Sequence, residues 1–225
     1  MNGIWILLLL ILSALLPLII VFFRFKAGKI QITLPWFLAA IVAGIVSLLA
    51  AALIQSLFPH PAKDGLGQLL FGVFIRIAMA EEASRLLILF PLLRAGNRLK
   101  NSEMAFCAAI GLVAGLGFAA AENASYGMAD INITLLRLFT AAPLHGACGL
   151  RAGAAVFLAG RNLSRSVFLF GSSVIIHGAY NLMILSPALP SLLSVAIALI
   201  ALIISLPLLN AAAGENTDIL SGSAQ

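Results

Sequence analysis

Glu81, Glu82 and Arg85 lie near the centre of one apolar stretch, residues 67–93 (GQLLFGVFIRIAMAEEASRLLILFPLL). Glu122, Asn123, His145, His177 and Asn181 lie in three later apolar stretches. Two imidazoles with one or two carboxylates are the ligand set of a zinc hydrolase, in which the metal acidifies a bound water. The same groups support a metal-free route, with a buried glutamate as general base on a water while His and Asn stabilise the developing oxyanion. Both routes are hydrolytic, and inside a membrane the obvious amide is a peptide bond. No Ser-His-Asp set is apparent, and no Asp falls in a span as an aspartyl dyad would require. The last apolar stretch has no Lys for a Schiff base.

These residues need elements that can hold them. The chain is 62% hydrophobic and 9% charged, with a mean hydropathy of +1.13. Soluble domains carry about 25% charged residues, so the composition predicts an all-α polytopic membrane protein. Seven spans are expected, at about 4–23, 32–58, 67–93, 104–127, 133–160, 166–186 and 189–210, followed by a polar tail at 211–225. Residues 4–23 have no basic leader or small-residue cleavage site before or after them and are read as a retained helix. Cys107 and Cys148 fall in apolar segments and read as small core residues.

Loop charges orient the bundle. Arg24, Lys26 and Lys29, then Arg94, Arg98 and Lys100, then Arg161 and Arg165 follow the first, third and fifth spans, while the intervening loops hold Lys63, Asp64 and Asp130. The positive-inside rule then places the N-terminus outside and the C-terminal tail in the cytoplasm. The net charge of +5 therefore reads through loop positions and not as nucleic-acid affinity.

An ionisable group at the centre of a span costs roughly 2.5–3.5 kcal/mol, so Glu81, Glu82 and Arg85 must face protein or water. Arg85 is four residues from Glu81 and three from Glu82, within reach of either. One acid pairs with it and the other stays free. By helical rise, His145 and His177 fall near the depth of the two glutamates, and Glu122 nearer the outer end. Gly111, Gly115 and Glu122 share one face of the fourth span, and His145, Gly149 and Gly153 one face of the fifth. Both glycine pairs are GxxxG, which permits close helix approach. His177 and Asn181 are four apart, so the amide can sit beside the imidazole.

In order along the chain, EExxR (Glu81, Glu82, Arg85), GLGFAAAEN (115–123), PLH (143–145) and HGAYN (177–181) resemble the motifs of the PrsW family of intramembrane proteases. That family sits within the superfamily of the CAAX-processing membrane proteases. The family's first motif usually reads EExxK, and Arg85 takes the lysine place here; the CAAX branch would want its Arg where this chain has Leu86.

The resemblance implies a membrane-embedded endopeptidase with Glu81 as the water-activating base and Glu82 paired with Arg85 or sharing a ligand role. It implies that His145 and His177 bind metal or the oxyanion, that Asn181 orients His177 or the scissile carbonyl, and that Glu122, beside Asn123, is a further acidic group. The family is described as metalloprotease and its CAAX relatives as acting through glutamate without zinc, so the resemblance leaves both routes open. In the metal route a zinc ion would be held by His145, His177 and Glu122. The implied partners are the lipid bilayer of the cell membrane and a transmembrane substrate such as an anti-sigma factor. Two other readings stand beside it: a proton- or ion-coupled transporter, against which no inverted repeat is visible, and a non-catalytic scaffold, which would be free to lose the glutamates this chain keeps.

Overall fold

The computed structural model describes residues 3–28, 30–58, 65–95, 104–127, 131–186, 189–190 and 192–210. The loop positions Lys29, Lys63, Asp64, Arg98, Lys100 and Asp130 and the tail 211–225 lie outside them. The described residues form helices joined by short connections: α1 (Gly3–Ala27), α2 (Leu34–Ser56), α3 (66–95), α4 (Met104–Gly127), α5 (Ile131–Leu158), α6 (Leu163–Leu185) and α7 (Leu193–Ser205). A 3-10 turn, Leu206–Leu209, closes α7. Among the described residues there is no strand. The class is all-helical, as the composition predicts. Leu34–Ser56, Met104–Ser125 and Leu163–Leu185 are long and apolar enough to cross a membrane.

The polarity is inside-out relative to a soluble domain. Leu53, Leu87, Phe139, Phe168, Ile175 and Ile203 are exposed, whereas Glu81, Glu82, Arg85, Asn123, Arg137, His145, Arg151 and His177 are buried. Lipid is the solvent that suits such a surface, because apolar side chains lose nothing by facing it.

The central element is α4. Its apolar window is 78% buried, against 33% for α2 and 28% for α6. It packs on α5, α2 and α1, while α3 packs on α2, α5 and α6. Small residues let α4 and α5 meet backbone to backbone. A Cβ on Gly111 would strike the Gly149 carbonyl, one on Gly115 the His145 carbonyl, and one on Gly153 the Cys107 carbonyl. The two GxxxG pairs therefore face each other, and His145 is carried on the same seam. Gly149→Val should separate α4 from α5, lowering stability by about 1–3 kcal/mol and pulling His145 from its partners. Gly171→Ala, where a Cβ meets nothing within 4 Å, should leave it unchanged or slightly higher. Thermal unfolding of both variants in detergent checks this; equal midpoints would refute the seam.

The third helix departs from a plain α-helix. Leu66–Leu70 is α-helical, Phe71–Met79 is a π-helix, and Ala80–Ala95 returns to α-helix. The wide segment ends at Met79, one residue short of Glu81 and Glu82. Such segments are rare and collect at functional sites. Here the extra width has a packing partner: the Phe74 ring fills the space where Gly178 of α6 has no side chain. No hydrophobic period in residues 67–93 announces it.

Candidate active site

Glu81 and Glu82 open the α-helical half of α3, and consecutive residues point about 100° apart around a helix. Neighbouring carboxylates thus meet different partners. Glu82 is fully engaged: Oε2 forms the ion pair with Nη1 of Arg85, and Oε1 lies 2.8 Å from His177 Nδ1. Glu81 is not. Its Oε1 accepts a bond from Gln55 Nε2 of α2 at 3.3 Å, while Oε2 is buried without a hydrogen-bond partner among the described residues. The nearest counter-group to Oε2 is His177 Nε2, at 3.5 Å. The two acids have been divided, one into structure and one into availability.

Arg85 is completely buried. Besides Glu82 it reaches His145 Nδ1 with Nη2 at 3.3 Å, and its guanidinium lies 4.8 Å from the centroid of the Phe118 ring. A guanidinium only donates, so His145 Nδ1 accepts and the ring proton sits on Nε2. That Nε2–H donates to Glu122 Oε2 at 2.9 Å. Arg137 of α5 closes the far side, pairing with Glu122 Oε2 at 2.5 Å and donating from Nε to Asn123 Oδ1 at 2.9 Å. The chain of contacts runs Glu82–Arg85–His145–Glu122–Arg137–Asn123 across α3, α5 and α4. The His145 and His177 rings meet edge to face, 5.0 Å between centroids.

The structure therefore brings together Glu81, Glu82, Arg85, Glu122, Asn123, His145 and His177. Asn181, expected to orient His177 or the scissile carbonyl, makes no hydrogen bond through its buried Nδ2 among the described residues, and Glu82 bonds the His177 ring. Glu122 was expected beside both imidazoles as a metal ligand. The acid grouped with both His145 and His177, their ligand atoms within 4.8 Å of one another, is Glu81; Glu122 Oε2 is shared between His145 and Arg137. A second such group, Glu82, Cys148 and His177, lies on the other side of the His177 ring. Cys148 was read as a core residue; both cysteines are buried, and neither is in a disulfide among the described residues.

Gln55 and Arg137 were missed by the sequence reading. Arg137 carried a usable signal, since an arginine inside a span is costly and so marks a site. Gln55 is a single amide near the end of an apolar helix and signalled only a need for some partner.

A model of the PrsW family intramembrane metalloprotease matches residues 33–209. The chain belongs to that family. No curated protein and no solved structure matches it. The matched region holds every side-chain contact of the site, from Gln55 on α2 to His177 on α6. As a member of the PrsW family the chain is a membrane-embedded protease, and its substrate is a protein in the membrane.

Proposed function

We propose that this chain hydrolyses a peptide bond within a membrane protein through a water activated by Glu81. The observation that carries the reading is the free Glu81 Oε2, buried and facing His177, beside a Glu82 whose oxygens are both spent on His177 and Arg85. A carboxylate oxygen with no protein hydrogen bond, held in a fixed place, can take a proton from a water that reaches it. His177 stands where it can steady the oxygen that becomes charged, and Asn181, with an unused donor, supplies a second group for it. Arg85, Glu122 and Arg137 hold His145 and Glu82 in place.

The donor set also fits a metal. Glu81, His145 and His177 each place one ligand atom within 4.8 Å of the others, the composition of a catalytic zinc site that keeps a position for water; His145 would have to give up Arg85 or Glu122 to ligate an ion there. Zinc, when bound, would acidify that water.

The bundle is read as one transmembrane domain over residues 1–210 with a cytoplasmic tail. Arg24 and Lys26 end α1, Arg94 ends α3, and Arg161 and Arg165 flank the α5–α6 connection. These charges favour an outside N-terminus and a site in the outer half of the plasma membrane. A single-pass regulator of the anti-sigma-factor kind is the substrate class proposed.

Mass spectrometry of membrane-protein N-termini, in cells carrying or lacking the chain, tests this without a guess at the target. New N-termini within or beside the outer end of a transmembrane segment are expected only where the chain is present. Identical profiles under several envelope stresses, with the protein folded and inserted, would reject the protease; proton-coupled flux in liposomes would replace it with a transporter.

A further inference from the structure

The helix α2 has no charged residue, and its two serines satisfy themselves on their own backbone: Ser47 Oγ donates to the Ala43 carbonyl and Ser56 Oγ to the Leu53 carbonyl, each at 2.7 Å. Gln55 behaves differently. Its amide leaves the helix and donates to Glu81 Oε1 on α3 at 3.3 Å. An amide carried into an apolar setting costs free energy unless it is bonded, so a glutamine here needs a partner, and its partner is the one acid not consumed by the ion network.

The consequence is an asymmetry within a single carboxylate. Gln55 occupies Oε1, which leaves Oε2 as the oxygen without a partner and directs it toward His177 Nε2. Ser84 does not supply this constraint, because its hydroxyl donates to the Glu81 main-chain carbonyl at 2.8 Å. Without Gln55 the Glu81 carboxyl group would be free to turn about its last torsion, which is broad and roughly two-fold. We propose that Gln55 is a positioning residue for the Glu81 carboxylate, selecting which oxygen meets the reacting water. The proposal rests on the reading of Glu81 as the water-activating group, and it links α2 to the reaction without placing any α2 atom on the substrate.

The test uses the full chain in liposomes. Gln55→Met keeps the length of the side chain and removes the donor. With the membrane substrate found by N-terminal profiling, kcat should fall about 10–100-fold, the range seen when an outer partner of a site residue is removed, while KM stays within about twofold. A merely structural role would lower the amount of folded protein and leave the kcat of what remains intact; that result, or an unchanged kcat, overturns the proposal. Should Gln55→Met fail to fold, Gln55→Asn, which keeps the amide but not its reach, should show the same kcat loss. An infrared arm is independent of proteolysis. The difference spectrum between the wild type and Glu81→Gln isolates the Glu81 carboxyl bands, and the same subtraction in a Gln55→Met background should find them displaced. Superimposable bands overturn the contact even if the chain cleaves, and displaced bands uphold it even if the chain proves not to be a protease.

Discussion

Glu81→Gln should lower proteolysis by about 10²–10⁴-fold, the contribution of a positioned general base, while the protein still folds and inserts. The substitution is nearly isosteric. The amide it introduces can keep an oxygen toward Gln55 Nε2, so the bond recorded at 3.3 Å has an acceptor to persist with. What changes is the free position facing His177, where an amide that accepts no proton from water replaces a carboxylate oxygen. Burying one fewer carboxylate should leave thermal stability equal or raised, because the free Oε2 has no partner whose loss would be felt. The same variant should bind less zinc, since Glu81 is the carboxylate grouped with His145 and His177. Cleavage of the identified substrate, unfolding midpoint and metal content are the three measurements. Retained cleavage would remove Glu81 from the mechanism, and a collapse in stability with proportional loss of activity would make its role structural.

Arg85→Met should be destructive for a different reason. It removes the cation from Glu82 Oε2, from His145 Nδ1 and from the Phe118 face in one step. A buried carboxylate left without its partner costs about 3–5 kcal/mol, a large share of the stability of most domains. The variant is expected to accumulate poorly and to unfold early in detergent. Glu82→Leu combined with Arg85→Met removes both charges together and should recover a good part of that loss, because the penalty lies in the unpaired charge and not in the absence of a pair. Activity should not return, since His145 and His177 each lose a contact that fixes them. Arg85→Lys, the residue the family motif usually carries, keeps a charge for Glu82 but lacks the planar fork that also reaches His145. It should fold, with activity reduced. Equal stability of Arg85→Met and the wild type would show that the ion pair carries no weight.

The two variants separate the acids that the motif leaves adjacent. If both outcomes hold, Glu81 is expendable for folding and needed for chemistry, while Glu82 matters to folding as the partner of a buried Arg85.

Composition alone excluded a soluble domain, because a chain with so few charges cannot cover itself for water. The motifs EExxR, GLGFAAAEN, PLH and HGAYN carried the family, and the family model spans the same segments. Helical spacing was enough to put Gly111 and Gly115 on one seam and His145 and Gly149 on another, since a fixed period maps sequence distance onto a helix face. Which seam met which was a matter of tertiary packing, and the structure joins these two.

Other features depend on contacts between helices far apart in the chain. Spacing allowed Arg85 to choose either glutamate; in the packed bundle Arg85 and His177 both bond Glu82, which is the one consumed. Packing also decided that Glu82, and not Asn181 one turn away, holds the imidazole. Arg137 could have been weighed from its place in a span, but its pairing with Glu122 required α4 and α5 to be side by side. Gln55 could be read only as an amide in need of some partner; which one lies 26 residues away, on another helix. The residue types that can perform hydrolysis are a property of this sequence, because chemistry follows from the side chain itself. Which oxygen of which glutamate is free to perform it is a property of the packed bundle, because only neighbours can occupy the others.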